Sequence, residues 1–325
     1  MKNITVRVSV VMPCYNEEKY IKNSIESLID DYFLKNCELI IVDGMSNDGT
    51  REVVQSFIKQ GIRLLENKKR IQACGLNLGI TEAKGKIIVR ADAHCVYPRG
   101  YIKKCVELLE TTGASNVGGI MLPQGASMNQ KAISLALKHP VGVGDAKWHL
   151  GNFSGYVDTV YLGTFWKKLF DEIGLYDTNC KTNQDGELNL RILKAGKKIY
   201  LDSSLKVIYF PRESLKKLAI QYFNYGRGRC YTSLKHRKIT SLRQLGPVGL
   251  VVGLFLSIIL SFFWHLFLLF PLSYLLALLL TALLSWPKKK TLLKQRLLTG
   301  LTWAIMHTCW GAGFLSYLIF HKKIR

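Results

Sequence analysis

Side chains that could bind a metal ion or move a proton stand directly after three short apolar segments. Glu17 follows the first segment, Asp43 ends the second, and Asp92 and His94 follow the third. Residues i and i+2 of an extended backbone point the same way, so we expect Asp92 and His94 to reach one ion. A carboxylate and an imidazole together suit Mn²⁺, because imidazole is the softer ligand. The alternative is that Asp92 alone holds the metal and His94 is only a hydrogen-bond donor.

Apolar strand-like segments alternate with helix-like segments over the first ninety residues. The predicted strands are 8–12, 38–43, 62–65 and 86–91, and the predicted helices are 17–28, 50–59 and 71–83. This alternation indicates βαβ units and a parallel sheet. Ligands bind beyond the carboxyl ends of such strands, so the polar groups found there predict a site at one sheet edge. Taken singly, each polar segment would also fit a helix cap or a turn.

Four motifs, in their order and spacing, resemble those of the family 2 glycosyltransferases of the GT-A fold. They are Val11–Glu18, Ile41–Thr50, Asp92–His94 and Asn183–Leu188. The resemblance covers residues 5–235 and is greatest to the membrane-attached glucosyltransferases of succinoglycan-type exopolysaccharide synthesis. The run Trp310–Phe314 resembles the same subgroup more weakly. The resemblance implies an α/β, Rossmann-like GT-A domain with C-terminal transmembrane helices.

The resemblance also implies a nucleotide-sugar site. Its expected residues are Pro13, Tyr15, Glu17, Asp43, Asn77, Gly79 and Asp92. Asp43 would bind the uracil or ribose edge of the nucleotide, and the first three residues would shape the base pocket. The family usually has Asp-x-Asp where this chain has Asp92-Ala93-His94. We expect Asp92 and His94 to take the place of that acidic pair and to hold Mn²⁺ or Mg²⁺. Such a cation neutralises the charge that develops on a diphosphate leaving group.

Asp185 is the expected catalytic base. An inverting transfer needs a carboxylate that removes the proton of the acceptor hydroxyl as that hydroxyl attacks the anomeric carbon. In the family, the acid of the Glu/Gln-Asp-x-Glu/Asp motif has this role. We predict a helix from Asp185 to Lys194, so the alternative is a structural acid at a helix N-terminus. Glu187 is expected to serve the structure or to contact the acceptor.

The segment 221–229 loosely resembles the Gln-x-x-Arg-Trp segment of processive family members. Asn224 and Tyr225 stand in place of Arg and Trp, which weakens any prediction of a polymerase. Gln221, Arg227 and Arg229 are still candidates for contacts with the diphosphate or the acceptor, because guanidinium groups suit phosphate oxygens. The two arginines would equally fit a lipid surface.

The C-terminal part of the chain contains two long segments without acidic or basic residues. Asp, Glu, Lys and Arg are absent from Leu245 to Trp286 and from Leu297 to Phe320. A helix that crosses a membrane needs roughly 20 apolar residues, so the first segment predicts a hairpin of two helices and the second a third helix. We thus predict a catalytic domain at 1–240 and a membrane region at 244–325 with two to three spans. A re-entrant or interfacial third segment and a buried hairpin of a soluble protein remain alternatives.

Much of the net charge of +22 lies close to these apolar segments, in a basic flank of Lys216, Lys217, Arg227, Arg229, Lys235, Arg237, Lys238 and Arg243 before them and Lys288, Lys289, Lys290, Lys294 and Arg296 between them. Basic residues that flank membrane spans stay cytoplasmic and attract anionic lipids, so we expect membrane lipids rather than nucleic acid as partners. Nothing before the first strand resembles a signal peptide, which predicts a cytoplasmic catalytic domain on the inner membrane. The eight cysteines form no CxxC pair and are expected to be reduced.

The sequence therefore predicts a metal-dependent inverting enzyme that transfers glucose or a related hexose from a UDP-sugar. The expected acceptor is a polyprenyl-diphosphate-linked glycan of exopolysaccharide or capsule synthesis. The alternatives are a processive polysaccharide synthase, a transferase that acts on a lipid monophosphate, and a non-catalytic adaptor that binds nucleotide sugars.

Overall fold

The computed structural model describes residues 6–238, 244–286 and 291–321. Within these residues the chain divides into two compact units. The first combines Met1–Leu122 with Lys147–Tyr209, and the second combines Pro123–Ala146 with Phe210–Arg325. The end of the predicted catalytic domain, at 240, and part of the predicted basic flank, at 288–290, lie outside the described residues.

The first unit is built around a nine-stranded sheet. Its strands are β1 (Val8–Cys14), β2 (Cys37–Asp43), β3 (Ile62–Glu66), β4 (Ile87–Arg90), β5 (Cys95–Val96), β6 (Asn116–Pro123), β7 (Gly155–Val157), β8 (Tyr161–Trp166) and β9 (Ile199–Tyr209). The strand order is β3-β2-β1-β4-β8-β6-β9-β5, and β7 pairs with β9. β1 to β4 are parallel, as predicted, whereas β8 runs antiparallel to β4 and to β6. The four strands predicted within residues 8–91 are therefore parallel as expected, and the later strands, for which the sequence analysis makes no prediction, turn the sheet into a mixed one.

The α-helices are numbered along the chain. They are α1 (Glu18–Leu28), α2 (Asp31–Asn36), α3 (Thr50–Gln55), α4 (Gln72–Glu82), α5 (Tyr101–Thr111), α6 (Met128–Ala136), α7 (Pro140–Val143), α8 (Lys147–Leu150), α9 (Leu169–Ile173), α10 (Gln184–Lys194), α11 (Leu215–His236), α12 (Leu245–Ser261), α13 (Leu269–Leu284) and α14 (Leu293–Phe320). Helices α1, α4 and α10 begin within one or two residues of their predicted starts. The predicted helix 50–59 is shorter, because α3 ends at Gln55 and a 3₁₀ turn follows at Ile58–Gln60.

The core of the first unit explains why its central strands form. β1 is buried from end to end apart from Pro13, which is partly exposed, and its Val-rich sequence is typical of a parallel strand covered on both faces. Helix α4 approaches the sheet closely at Gly79, where an added Cβ would overlap the side chain of Val11. Leu188 and Ile192 of α10 join the same core. This packing fixes α4 and α10 relative to the ends of the strands.

The second unit is helical, and glycines allow its helices to pack closely. A Cβ at Gly313 of α14 would overlap the backbone of Phe223 on α11, and one at Gly311 would overlap Pro247 on α12. The run Trp310–Phe314 is therefore a helix-packing segment with small residues at its contacts, a pattern common among helices in membranes. Trp303 of α14 is fully buried and donates to the carbonyl of Ala136 on α6 at 3.3 Å.

Two described helices are long and apolar enough to cross a membrane, His265–Leu284 and Leu293–Phe320, and α12 is a shorter apolar helix of 17 residues. The uncharged segment 245–286 thus forms two helices, as predicted. Large apolar side chains on this segment are exposed: Phe262 is 84% and Phe263 86% exposed. This exposure does not fit a buried hairpin of a soluble protein, because such a hairpin would cover these side chains.

Candidate active site

The loops that follow β1 and β2 are joined by side-chain hydrogen bonds. The Asn16 side chain donates to Asn47 Oδ1 at 2.8 Å, and the Asn47 backbone N–H donates to Asn16 Oδ1 at 3.0 Å. Asn16 adopts a left-handed conformation (φ 55°), which asparagine tolerates better than most residues. The Glu17 N–H donates to the hydroxyl of Thr50 at 2.8 Å. The two loops therefore form one connected rim at the carboxyl edge of the sheet.

Asp43 anchors this rim from inside the protein. Its carboxylate is fully buried and accepts hydrogen bonds from the backbone N–H of Ser46 at 3.0 Å and from the Ser46 hydroxyl at 2.5 Å. Burial, together with the charge of Asp43, raises the pKa of the Cys14 thiol. Tyr15 is 47% exposed on the same rim, so its ring is accessible to a ligand. The expected contacts of Pro13, Tyr15 and Asp43 with a nucleotide stay predictions.

Asn77 and Gly79 connect α4 to other parts of the unit. The Asn77 side chain donates to the carbonyl of Tyr176 at 2.8 Å and accepts from the Tyr176 N–H at 2.9 Å. This pair of bonds holds the segment that leads into α10. Gly79 lies within the packing of α4 on β1. These contacts give both residues structural roles, and their contacts with the nucleotide stay predictions.

The Asp92-Ala93-His94 motif leaves the sheet in a turn. Ala93 and His94 are turn residues, so the expectation of an extended backbone at this motif is wrong. Tyr97 holds the turn: the Asp92 N–H donates to the tyrosine oxygen at 2.7 Å, and the tyrosine hydroxyl lies 3.0 Å from the Asp92 carbonyl. His94 Nδ1 lies 3.0 Å from Glu17 Oε1, and its ring makes an edge contact with Tyr209 at 5.3 Å. The structure therefore places Glu17 beside His94, a contact that the sequence did not predict.

The chemistry of these donors fits a divalent cation. A histidine that donates its Nδ1–H to a carboxylate presents the lone pair of Nε2, and metal-binding histidines commonly have such a carboxylate partner. The described residues contain no cluster of three or more His, Cys, Asp or Glu side chains suited to a metal. Asp92 and His94 would therefore supply two ligands. Oxygen atoms of a diphosphate and of water would complete the shell, as is usual for Mg²⁺ sites.

A buried arginine, Arg90, joins the metal motif to the predicted base. It is 6% exposed, and its Nη2 donates to Asp92 Oδ1 at 3.1 Å. Its Nη1 forms an ion pair with Asp185 Oδ1. Burial disfavours the charged guanidinium, but the nearby charges of Asp185 and Asp92 outweigh it and raise the pKa of Arg90 well above its ordinary value. The structure thus brings Asp92 and Asp185 together on one cation that the sequence analysis did not single out.

Asp185 is the second residue of α10. Asn183 precedes the helix in a left-handed conformation (φ 66°), and the Gln184 side chain donates to Gln72 of α4 at 2.6 Å. These features fix the start of the helix, where the helix dipole favours a negative charge. The Asp185 side chain is 37% exposed, so it can meet a solvent-borne acceptor.

Glu187 faces the interior of the protein. Its side chain is fully buried, and both carboxylate oxygens accept hydrogen bonds from Arg191 at 2.9–3.1 Å. Arg191 also donates to the carbonyls of Gly174 at 3.0 Å and Leu175 at 2.8 Å. Glu187 is therefore an internal partner of Arg191 in this structure, and its contact with an acceptor stays a prediction.

Three further candidate residues lie on α11 in the second unit. The Gln221 side chain donates to the hydroxyl of Tyr225 at 2.8 Å, Arg227 is exposed, and Arg229 is partly buried. Their contacts with a diphosphate, an acceptor or lipid stay predictions.

The sheet topology and the helices that cover it define a fold of the GT-A class. The mannosyltransferase PcManGT from Pyrobaculum calidifontis, solved with GDP-Man and Mn²⁺, superposes with a TM-score of 0.62 at 18% identity, covering 97% of this chain and 88% of its own. GalNAc-T7, solved with UDP, GalNAc and Mn²⁺, gives a TM-score of 0.50 at 15% identity over 73% of this chain and 51% of its own. At these identities the likeness establishes the fold alone. It confirms the predicted fold class.

Sequence comparisons identify the family. Residues 9–174 match the model of glycosyl transferase family 2. The succinoglycan biosynthesis protein ExoA of Rhizobium meliloti (strain 1021) is 36% identical over 244 residues, 74% of each chain. A dolichyl N-acetyl-α-D-glucosaminyl phosphate 3-β-D-2,3-diacetamido-2,3-dideoxy-β-D-glucuronosyltransferase of Methanococcus voltae is 31% identical over 68% of this chain and 72% of its own. The chain belongs to the family 2 glycosyltransferases, as the motifs predicted.

Proposed function

We propose that the protein is an inverting hexosyltransferase that moves a sugar, glucose or a related hexose, from a UDP-sugar to a lipid-linked oligosaccharide. The observation that carries this proposal is the placement of Asp185 and Asp92 on the single guanidinium of Arg90. It sets a partly exposed carboxylate beside the motif that would hold the donor diphosphate. A proton acceptor and a leaving-group site must be neighbours in any single-displacement transfer.

The residues divide the reaction between them. Asp185 accepts the proton of the acceptor hydroxyl as the new C–O bond forms and the bond from the anomeric carbon to the diphosphate breaks. Asp92 and His94 would hold Mn²⁺ or Mg²⁺, and the bound cation would neutralise the negative charge on the diphosphate. Glu17 orients His94, and the rim anchored by Asp43 receives the nucleotide. The attack opposite the leaving group inverts the anomeric centre.

The relatives support the choice of acceptor and product. The protein from Methanococcus voltae is named for transfer to a sugar on dolichyl phosphate with a β linkage, and the protein from Rhizobium meliloti is named for succinoglycan biosynthesis. A β product is what inversion of an α-linked donor gives. The first name supports a lipid-linked acceptor, and the second supports a product of exopolysaccharide synthesis.

The exposed apolar surface of α12 and α13 supports attachment to the plasma membrane, and the basic residues beside the apolar segments support a catalytic unit in the cytoplasm. In the membrane, lipid would cover the apolar surfaces of α12, α13 and α14, and Arg227 and Arg229 of α11 would lie near anionic headgroups. A processive synthase is less well supported, because Asn224 and Tyr225 replace the Arg and Trp of processive members.

The test is nucleotide release by the full-length protein in detergent, with a panel of UDP-, GDP- and dTDP-sugars and bacterial lipid extract as acceptor source. Each donor is run with Mn²⁺, Mg²⁺ or chelator. We expect metal-dependent release of UDP from one sugar. Asp185→Asn should abolish it while donor binding, measured by calorimetry, stays within about threefold, and Asp171→Asn, at an exposed acid of α9, should behave like the wild type.

Two results would contradict the proposal. Full activity in Asp185→Asn would remove Asp185 from the role of base. Donor binding without turnover in any lipid extract, by a protein that melts cooperatively, would favour the non-catalytic adaptor instead.

A further inference from the structure

Arg90 is an unusual residue for its position in the sheet. β4 is a short strand between β1 and β8, and all four of its residues are buried. Three of them are Ile or Val, as expected for a strand covered on both faces. A buried guanidinium is costly unless it is paired, so an arginine here needs a compensating role.

The contacts of Arg90 reach two segments that are far apart in the chain. One nitrogen of its fork binds Asp92, two residues away, and the other binds Asp185, on α10. The guanidinium is planar, and its N–H directions are fixed relative to one another. Two carboxylates bound to two nitrogens of one guanidinium therefore have a restricted separation and orientation.

We propose that Arg90 is a positioning residue for the transfer reaction: it aims the carboxylate of Asp185 at the acceptor hydroxyl relative to the donor held at Asp92. The inference rests on the proposed role of Asp185 as base. Asp185 stands at the start of a helix and is 37% exposed, whereas Asp92 lies almost buried beside the sheet. Arg90 binds both carboxylates directly, so it fixes the position of the Asp185 carboxylate relative to Asp92 as well as relative to α10.

A purely structural role makes a different prediction. If Arg90 only neutralises buried acids, a lysine, which keeps the charge, should serve nearly as well. A lysine ammonium is a point charge and cannot hold two carboxylates in a fixed planar arrangement. The positioning role therefore predicts that Arg90→Lys folds but turns over slowly.

The experiment compares Arg90→Lys with a matched control, Arg63→Lys, in the full-length protein. Arg63 lies on β3 and also joins two acids, Glu38 at 3.2 Å and Glu82 at 3.1 Å, but on a different strand from Arg90. We expect kcat to fall about 100-fold in Arg90→Lys, the size of effect that a misplacement of about 1 Å produces. The donor KM and the Mn²⁺ dissociation constant should stay within about threefold. Arg63→Lys should keep the wild-type kcat.

A double substitution separates the inference from the function on which it rests. Residual transfer by Asp185→Asn, measured at high enzyme concentration, should hardly change when Arg90→Lys is added, because Arg90 acts through Asp185. Full wild-type activity in Asp185→Asn would refute the base assignment itself. An inactive Asp185→Asn combined with a wild-type kcat in Arg90→Lys would refute only the positioning role.

Other outcomes also decide the question. A raised donor KM or a weakened Mn²⁺ affinity with unchanged kcat in Arg90→Lys would mean that Arg90 supports only Asp92 and not Asp185. This result would overturn the proposal. If Arg90→Lys does not fold, Arg90→Gln, which keeps a planar donor for one carboxylate, replaces it. The same loss of kcat at unchanged KM is then expected, and an unchanged kcat would overturn the proposal.

Discussion

Replacing Glu187 with Gln would show whether this acid supports the fold or contacts the acceptor. Its carboxylate is fully buried and accepts three hydrogen bonds from Arg191. Glutamine keeps the shape of the side chain but loses the charge and one of the two acceptor oxygens. The substitution therefore leaves a mostly buried guanidinium without its counter-ion.

The expected magnitude follows from these contacts. Breaking a buried ion pair by removing one partner costs about 3–5 kcal/mol. Arg191 keeps its hydrogen bonds to the carbonyls of Gly174 and Leu175 and is 18% exposed, so we expect the lower end, about 3 kcal/mol. A unit of roughly 150–250 residues loses about 2–4 °C in melting temperature per kcal/mol. The melting temperature of the first unit should therefore fall by about 6–12 °C.

The assay is thermal melting of the detergent-purified protein, followed by transfer kinetics well below the melting temperature of the variant. A structural Glu187 predicts nearly unchanged kcat and acceptor KM under those conditions. The control is Glu172→Gln, which removes an exposed acid paired with Lys197 at 2.6 Å and should not shift the melting curve. An unchanged melting temperature together with a raised acceptor KM would refute the argument and make Glu187 an acceptor contact.

The remaining predictions concern the metal site and the membrane. Glu17→Gln should weaken Mn²⁺ binding about 10–100-fold in calorimetric titration, because glutamine does not hold His94 as a carboxylate does. The control is Glu26→Gln, at an exposed acid of α1. Equal Mn²⁺ affinities of the two variants would show that Glu17 does not orient His94. Washing membranes with alkaline carbonate should leave the full-length protein in the pellet, because His265–Leu284 and α14 are long and apolar enough to span the bilayer. Release into the supernatant would indicate attachment to the surface only.

The sequence predicted the first four strands of the sheet and their parallel direction, and it made no prediction for the later strands. β1 to β4 alternate with helices, and this pattern indicates parallel strands although it does not say which strands are neighbours. β8 pairs with β4 across 70 residues of intervening chain, and nothing in its short sequence specifies that partner or its antiparallel direction. The mixed character of the sheet thus depends on long-range packing, which a single sequence does not reveal.

The residue types of the candidate site could be read from its motifs, whereas the partners of those residues could not. Asp92, His94 and Asp185 stand out in the sequence by their type and spacing. Their ion-pair partners do not: Arg90 lies outside the motifs, and Glu17 was expected to contact the nucleotide. Arg90 had one sequence signal that could have identified it: a charge within an otherwise apolar strand. Glu17 carried no comparable signal, because its contact with His94 depends on how the loop after β1 folds.

A spacing of two residues has different consequences in the two motifs. On α10, residues i and i+2 do not face each other, so Asp185 and Glu187 cannot both meet one acceptor. In the structure each acid is paired with a different arginine: Arg90 binds the partly exposed Asp185, and Arg191 binds the buried Glu187. In Asp92–His94 the same spacing falls in a turn, where the backbone, and not an alternation rule, decides the direction of each side chain. The chemical meaning of an Asp-x-Glu or Asp-x-His pattern therefore depends on its secondary structure, and on α10 the spacing separates a partly exposed acid from a fully buried one.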